Sequence, residues 1–281
     1  MDLEALPLHC ELVLAGQAVD TRLANEAERS DEIGVDDDIG RHKGSLSLYS
    51  RATMPGFHIS ITELAITLAA FLIAIDVHEF SHALVAHAEG DVTAKQLGRL
   101  SLNPIRHLDP MGTVLLFIML VGGFGIGWGK PVPVNPVNLR NGRQSMAMVS
   151  AAGVVANLIT AVLCGLLIRG HVVPDLVRQG YLSSGVGAIA FAFLQALLGI
   201  SIGLAVFNLL PIFPLDGFNV AVNVLPRGVG AKLAQYAHWG PGILMLLIFL
   251  PQLVPGLRSV NLLASILEPP FRLLEHVIVG T

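Results

Sequence analysis

Apolar segments long enough to cross a lipid bilayer constrain the fold of this chain more than any other feature of its sequence. A helix needs about 20 apolar residues to span the hydrocarbon core. Only 14% of the residues are charged, whereas about 25% are charged in soluble domains. We therefore predict an all-α polytopic membrane protein with four to six membrane helices. The candidate segments are 59–88, 145–168, 185–210, the shorter 242–254, and 260–279, which is expected to be interfacial or terminal.

A glycine-rich apolar segment, residues 111–129, lies between the basic stretches 92–110 and 130–143. Basic loops favour the cytoplasmic side of a membrane, so both ends of this segment are expected on that side. Residues 111–129 are therefore predicted to be re-entrant, which requires cover from protein or water. The proline segment (residues 130–136) is expected to be extended and part of a short hairpin, because proline restricts its own φ and its predecessor's conformation.

The first 56 residues differ in charge from the rest of the chain. They contain 11 Asp and Glu against 5 Lys and Arg, without sustained apolar periodicity. We expect residues 1–56 to form an acidic, flexible tail and residues 57–281 to form a membrane-embedded domain. The cysteines Cys10 and Cys164 lie far apart, so neither a disulfide framework nor a thiolate zinc site is expected. No basic patch suited to nucleic acid is present.

The sequence His78-Glu79-Phe80-Ser81-His82 has the HExxH pattern and lies inside the first apolar segment. Residues four apart share one face of a helix, so the two imidazoles can bind one Zn²⁺. Glu79 would then lie beside the ion, where it can take a proton from bound water. HExxH also occurs by chance in unrelated proteins. Charged residues within a membrane span are costly and usually functional, which favours the zinc site.

A catalytic zinc site usually has three protein ligands and one open position. On a helix, His87 lies on the face opposite His78, and Glu89 is about 10 Å further along. Asp216 follows a proline-broken segment after an apolar span and is the better candidate, with helix capping as its alternative. Asn208, near the end of that span, could hydrogen-bond a substrate or an oxyanion, or it could hold helices together.

Four sequence blocks follow one another in order along the chain. They read HEFSHA at 78–83, GRLSLNPIRHLDPMGT at 98–113, GWGKPVPVNP at 127–136 and NLLPIFPLDG at 208–217. In this combination the chain resembles the site-2 protease family of intramembrane zinc metalloproteases, and most of all its compact bacterial branch without PDZ or CBS domains. One departure is Val154, where the family often has a proline; it bears only on the geometry of that helix.

The resemblance implies that His78, His82 and Asp216 bind Zn²⁺, that Glu79 is the general base and acid, and that Asn208 contacts the substrate or the transition state. It implies a multi-pass protein of the bacterial plasma membrane that hydrolyses peptide bonds in or near transmembrane segments. Its substrates would be single-span membrane proteins, cleaved in regulated intramembrane proteolysis.

Three polar residues near the motif keep open roles. His107 and Asp109 are as suited to loop hydrogen bonding as to catalysis. For Asp76, two residues before His78, we expect solvation in a water-filled approach, with support of a metal ligand as the alternative.

Two other functions compete with proteolysis. A catalytically silent scaffold of the same fold is disfavoured by the intact Glu79 and ligand set. A divalent-metal transporter would need a path of ligating groups. Outside the site, the first four spans offer only Asp76 and the peripheral Glu63 as carboxylates.

Overall fold

The computed structural model describes residues 60–122, 127–170, 176, 181, 185–254 and 262–280. The tail predicted at 1–56 lies outside the described residues. Within them the chain is helical, and short 3₁₀ turns occur at Pro104–Arg106, Pro136–Asn138 and Ala237–Trp239. The α-helices are α1 (Ile61–Ala88), α2 (Thr93–Gln96), α3 (Pro110–Gly122), α4 (Arg143–Arg169), α5 (Gly185–Asn208), α6 (Asp216–Val224), α7 (Arg227–Gln235), α8 (Gly240–Leu253) and α9 (Leu262–Val279).

Four stretches are long and apolar enough to cross a membrane: α1, α4, α5 and the run Arg227–Pro251, which joins α7 to most of α8. This confirms the prediction of an all-α polytopic membrane protein. The exposed surface of α4 carries Ile159, Leu163 and Leu166, each more than half exposed. Lipid would cover such side chains in a bilayer.

The first span begins and ends at residues suited to those positions. At its start, Ser60 Oγ accepts from Glu63 N at 3.1 Å, and Glu63 Oε2 accepts from Ser60 N at 2.9 Å. This capping box satisfies two N–H groups at the helix start. At its end, Gly90 has φ +107°, a conformation that other residues rarely adopt.

The predicted re-entrant segment contains α3, which has 13 residues and is shorter than the ~20 needed to span a bilayer. An antiparallel bridge joins Leu108, before α3, to Gly129, after it, so the chain leaves and rejoins the same part of the fold. This bridge represents the expected hairpin within the described residues. Gly129 also lets this part of the chain lie close to α1, since a Cβ at position 129 would come 2.7 Å from Ile75 Cδ1.

The core lies where α1, α4 and α5 pack against one another, and α6 packs onto α4. Apolar side chains fill most of it, among them Phe71, Ile202 and Leu197. The helices also bury polar groups. Buried polar residues of the three core helices are Asp76, His78, Glu79, His82, Ser145, Ser150, Asn157 and Ser201. The functional site is built on this polar part of the helix interface.

Candidate metal centre

Two helices bring three metal-ligating side chains together. His78 and His82 are one turn apart on α1, and Asp216 is the first residue of α6. The Nε2 atoms of His78 and His82 lie 3.0 and 3.2 Å from Asp216 Oδ2. One ligand atom from each residue lies within 4.8 Å of the other two. The structure thus places Asp216 beside both histidines, while the ligand roles themselves remain a prediction.

Asp216 reaches this position because the chain turns sharply after α5. A Cβ on Gly217 would collide with the carbonyl of Leu209, so the turn needs a glycine where it folds back on the end of the span. Leu215 is the N-cap of α6, and no side chain caps this helix end. Asp216 is thus the first helical residue and not the N-cap, so the alternative of a helix-capping aspartate does not describe it.

The three side chains fit a zinc ion on two observations. Asp216 Oδ2 is buried and has no well-oriented hydrogen bond within the described residues, although two imidazole nitrogens face it. A cation between the three atoms would satisfy all of them. In addition, α4 passes the imidazoles at Gly153, where a Cβ would come 2.5 Å from both His78 Cε1 and His82 Nε2. Two imidazoles and a carboxylate are a common ligand set of catalytic zinc.

The carboxyl of Asp216 is ionised at neutral pH. Burial raises its pKa, but the imidazoles of His78 and His82 beside it outweigh burial and lower the pKa to about 2. A carboxylate must be deprotonated to bind a metal, so this environment favours the ligating form.

One histidine is oriented by the backbone of α4. His82 Nδ1 lies 2.7 Å from the carbonyl oxygen of Val149. A carbonyl only accepts, so Nδ1 carries a proton, and a neutral imidazole in this orientation has its lone pair on Nε2, toward the ligand cluster. Such a contact fixes both the tautomer and the ring orientation of a metal ligand.

Glu79 contacts the proline segment. It is 8% exposed, and its Oε2 accepts a hydrogen bond from Val132 N at 2.9 Å. The base predicted from the motif is therefore held by the backbone of residues that follow it by about fifty positions in the sequence. The sequence does not reveal this bond, because its donor is a main-chain N–H.

Arg99 fastens the proline segment at its start. This buried guanidinium donates to the carbonyl oxygens of Arg106, Lys130 and Pro131. Three acceptors suit the fixed fork of an arginine. Arg99 thus ties the chain before the re-entrant segment to the chain after it, beside Glu79.

Asp91 fastens the other end of the proline segment. It is fully buried, and its Oδ2 accepts from Asn135 N at 2.7 Å. Its Oδ1 accepts from Asn138 Nδ2 at 2.9 Å and from both the backbone and the hydroxyl of Thr93. The segment that crosses Glu79 is therefore held at both ends by buried charged side chains.

Other residues singled out from the sequence have hydrogen-bond partners outside the ligand cluster. Asn208 donates through Nδ2 to Leu204 O at 2.9 Å, within its own helix, and its predicted contact with substrate stays a prediction. His87 Nε2 lies 3.4 Å from Lys95 Nζ. Glu89 Oε2 accepts from Ser145 Oγ at 2.5 Å, as suits a residue at a helix end.

The expectation that Asp76 is solvated is wrong. The residue is 6% exposed, and its Oδ1 lies 3.6 Å from Nε2 of the fully buried His107. His107 Nε2 also lies 2.8 Å from Ser101 O. The loop of the second sequence block covers this side of α1 and buries Asp76. Asp109 has a structural role, because its Oδ1 accepts from Gly112 N at 2.8 Å at the start of α3.

Comparison with known proteins gives several relatives of the chain. One, named "Putative zinc metalloprotease YwhC", from Bacillus subtilis, is 38% identical over 188 residues, which cover 67% of this chain and 80% of the relative. Another, named "Putative zinc metalloprotease Rip2", from Mycolicibacterium smegmatis, is 31% identical over 67% of this chain and 68% of its own length. Rip2 of Mycobacterium tuberculosis is 34% identical over 66% of this chain and 67% of its own length. No protein-family model and no solved structure matches the chain.

The fold and the site define a helical membrane protein with a metalloprotease type of centre. In it, a helix with the HExxH pattern contacts a carboxylate that lies far away in the sequence. The chain belongs to the zinc metalloprotease family that includes YwhC and Rip2. It is accordingly a zinc metalloprotease with Zn²⁺ as its cofactor.

Proposed function

We propose that this protein is an intramembrane protease of the site-2 type, which hydrolyses peptide bonds in or near the transmembrane segments of single-span membrane proteins. One observation carries the proposal. His78, Glu79 and His82 are buried on α1, a helix long and apolar enough to cross a membrane, and α4, a second such helix, packs over them. A substrate must therefore present its peptide bond at this helix interface.

The residues have separate roles in the proposed reaction. His78, His82 and Asp216 would hold the ion. When bound, zinc supplies Lewis-acid chemistry that polarises the scissile carbonyl and acidifies water. Glu79 takes the proton of the attacking water and delivers it to the leaving amine. The bond from Val132 N is accepted by Oε2 and orients the carboxylate. Oε1, for which the described part of the chain shows no hydrogen bond, can then receive the proton.

Asn208 is proposed to stabilise the negative charge that develops on the substrate carbonyl. An amide side chain has two N–H groups, and one of them donates to Leu204 O. The second can donate to the substrate carbonyl as an oxyanion-hole group.

The proline segment is proposed to hold an unwound substrate strand. In an extended chain, the main-chain N–H groups of residues two apart point to the same side. The N–H of Val134 therefore points to the same side of the segment as the N–H of Val132. The N–H of Val132 is committed to Glu79, and those of Lys130 and Asn135 bind His107 O and Asp91. The N–H of Val134 has no partner within the described part of the chain and is the donor open to a substrate strand.

The site is proposed to open toward the cytoplasm of a bacterial plasma membrane. The basic loop residues Lys95, Arg99, Arg106 and Lys130 follow α1 and flank the re-entrant segment. Basic loops favour the cytoplasmic side. Water would then reach Glu79 from the end of α1 at which these loops lie.

The test compares wild type with Glu79→Gln on a panel of single-span proteins in liposomes, with zinc content measured in parallel. We expect wild type to cleave within or near the substrate span and Glu79→Gln to bind zinc without cleaving. Glu63→Gln is the matched control, since it makes the same change at the far end of the same helix and preserves the capping box. Equal cleavage by wild type and Glu79→Gln would refute the proposal, as would zinc-loaded wild type that cleaves nothing.

A further inference from the structure

Asn157 is the buried polar side chain that faces His78 from α4. It is fully buried, and its Nδ2 lies 3.3 Å from His78 Nδ1. Its Oδ1 has no hydrogen-bond partner within the described residues. A buried amide oxygen without a partner is costly, so the contact with His78 requires an explanation.

The chemistry of the imidazole decides which amide atom belongs on His78. A neutral imidazole has one N–H and one lone pair. His78 Nε2 faces Asp216 Oδ2 at 3.0 Å and must keep its lone pair if it is to bind a metal. The proton is then on Nδ1, and an amide nitrogen opposite it would set one donor against another. A half-turn of the amide about Cβ–Cγ keeps its shape and brings the partnerless Oδ1 to the Nδ1 proton.

The same face of α4 supports the other histidine. Val149, Gly153 and Asn157 follow one another at intervals of four residues and share a helix face. The carbonyl of Val149 receives His82 Nδ1 at 2.7 Å, and Gly153 leaves room for both rings. Each imidazole thus has its Nδ1 directed at α4 and its Nε2 directed at Asp216.

We propose that Asn157 is a positioning residue that accepts the Nδ1 proton of His78 through Oδ1 and thereby keeps Nε2 free for the metal. The inference rests on the proposed ligand role of His78. In this arrangement α4 orients both imidazoles. It contacts His82 through the main-chain carbonyl of Val149 and His78 through the side chain of Asn157. The support of His78 can therefore be removed by mutation, whereas that of His82 cannot.

The alternative is that Asn157 only holds helices together. Zinc affinity and helix stability separate the two roles. Zinc affinity is measured on purified full-length protein in detergent by competition with a chromogenic chelator. Cobalt-substituted protein reports the ligand geometry through its visible absorption, and thermal unfolding of the metal-free protein reports helix packing.

Asn157→Asp is the decisive variant, because a carboxylate accepts but cannot donate. We expect it to bind zinc about as tightly as wild type, since carboxylate–histidine pairs are common partners of metal ligands. We expect Asn157→Leu to bind zinc about 10- to 100-fold more weakly and to change the cobalt spectrum. Thr160→Val is the control, since it removes a hydrogen bond within α4, from Thr160 Oγ1 to Ala156 O, and should leave zinc affinity unchanged.

Two results would overturn the role of Asn157. One is a tenfold or greater loss of zinc affinity in Asn157→Asp. The other is wild-type zinc affinity in Asn157→Leu. Both concern zinc affinity without substrate, so they are distinct from failure of the proposed function, which would appear as zinc-loaded wild type without cleavage.

Discussion

Glu79 Oε2 accepts a hydrogen bond from the main-chain N–H of Val132 at 2.9 Å. The bond joins the proposed base to the segment proposed to hold the substrate. Two prolines flank Val132, at positions 131 and 133, so its N–H is the only one among these three residues. A single main-chain group therefore sets the orientation of the carboxylate relative to the proline segment.

Proline substitution separates the two roles of this segment. Val132→Pro removes the donor to Glu79. A hydrogen bond to a charged group contributes about 1.5–3 kcal/mol, so we expect kcat to fall about 10- to 100-fold.

Val134→Pro removes a neutral donor proposed to bind substrate, and we expect KM to rise about 2- to 10-fold with a smaller change in kcat. Cleavage kinetics with parallel zinc analysis measure both effects. Wild-type kcat in Val132→Pro would contradict the role assigned to its N–H.

Gly153→Ala is expected to abolish zinc binding. A Cβ at this position would come 2.5 Å from atoms of both His78 and His82. Alanine is otherwise favoured over glycine within a helix by about 1 kcal/mol, so a loss of zinc would reflect the collision with the rings. Zinc content of the purified protein and the cobalt spectrum measure the effect.

Gly165→Ala on the same helix is the matched control. There a Cβ would collide with Ile278 of α9 instead of the imidazoles. We expect this variant to lower the unfolding temperature while keeping its zinc. Equal zinc loss in both variants would mean that any displacement of α4 empties the site, and the specific role of Gly153 would be lost.

The sequence predicted the spans and the histidines because both depend on local patterns. Apolar length identifies α1, α4 and α5, and the spacing of His78 and His82 gives their common face. Asp216 can be predicted from the sequence as a candidate ligand because a carboxylate beside a proline-broken span is unusual. The proline segment was expected to be extended from its prolines alone.

The support around the site could not be predicted, because it depends on the tertiary packing of distant segments. Val149 acts through a main-chain carbonyl, which every residue possesses. Gly153 resembles any small residue at a helix contact until its distance from the imidazoles is known. Asp76 was expected to be solvated, since the sequence does not indicate that the loop carrying His107 covers it. From the sequence, Arg99 is one of the basic residues of the stretch 92–110 that indicate the cytoplasmic side, and nothing there indicates its three bonds to carbonyl oxygens.

Arg99 is expected to determine the position of the proline segment. The three donors of lysine radiate from one nitrogen, so they cannot match carbonyl oxygens that face two separate nitrogens of the guanidinium. A buried carbonyl without a partner costs about 1–3 kcal/mol. We expect Arg99→Lys and Arg99→Gln to lower kcat/KM about tenfold or more while retaining zinc. Arg106→Lys is the control, because Arg106 is exposed and donates to one carbonyl, that of Gly98. If Arg99→Lys cleaves as fast as Arg106→Lys, the charge of Arg99 suffices and its fork geometry is irrelevant.

Asp91 is expected to make stability depend on pH in the acid range. Burial raises its pKa, but hydrogen bonds from Asn138, Thr93 and Asn135 outweigh burial and lower the pKa below its ordinary value. A carboxyl whose pKa is lowered by folding stabilises the protein fully above its unfolded-state pKa of about 3.9. This stabilisation is lost as the pH falls through the lower, folded-state pKa.

Asp91→Asn isolates this contribution. The variant replaces one of the two acceptor oxygens of Asp91 with an amide N–H₂ group, which faces the donors of Thr93, Asn135 and Asn138. We therefore expect it to be less stable than wild type by about 1–3 kcal/mol near pH 7. The difference between wild type and variant should stay constant down to about pH 4 and shrink below it, because only wild type is protonated at this position. Thermal unfolding in detergent from neutral to acid pH measures this difference in stability. The contributions of the other carboxyl groups are common to both proteins and largely cancel. A difference that persists undiminished at the lowest pH would show that Asp91 stabilises the fold without its charge.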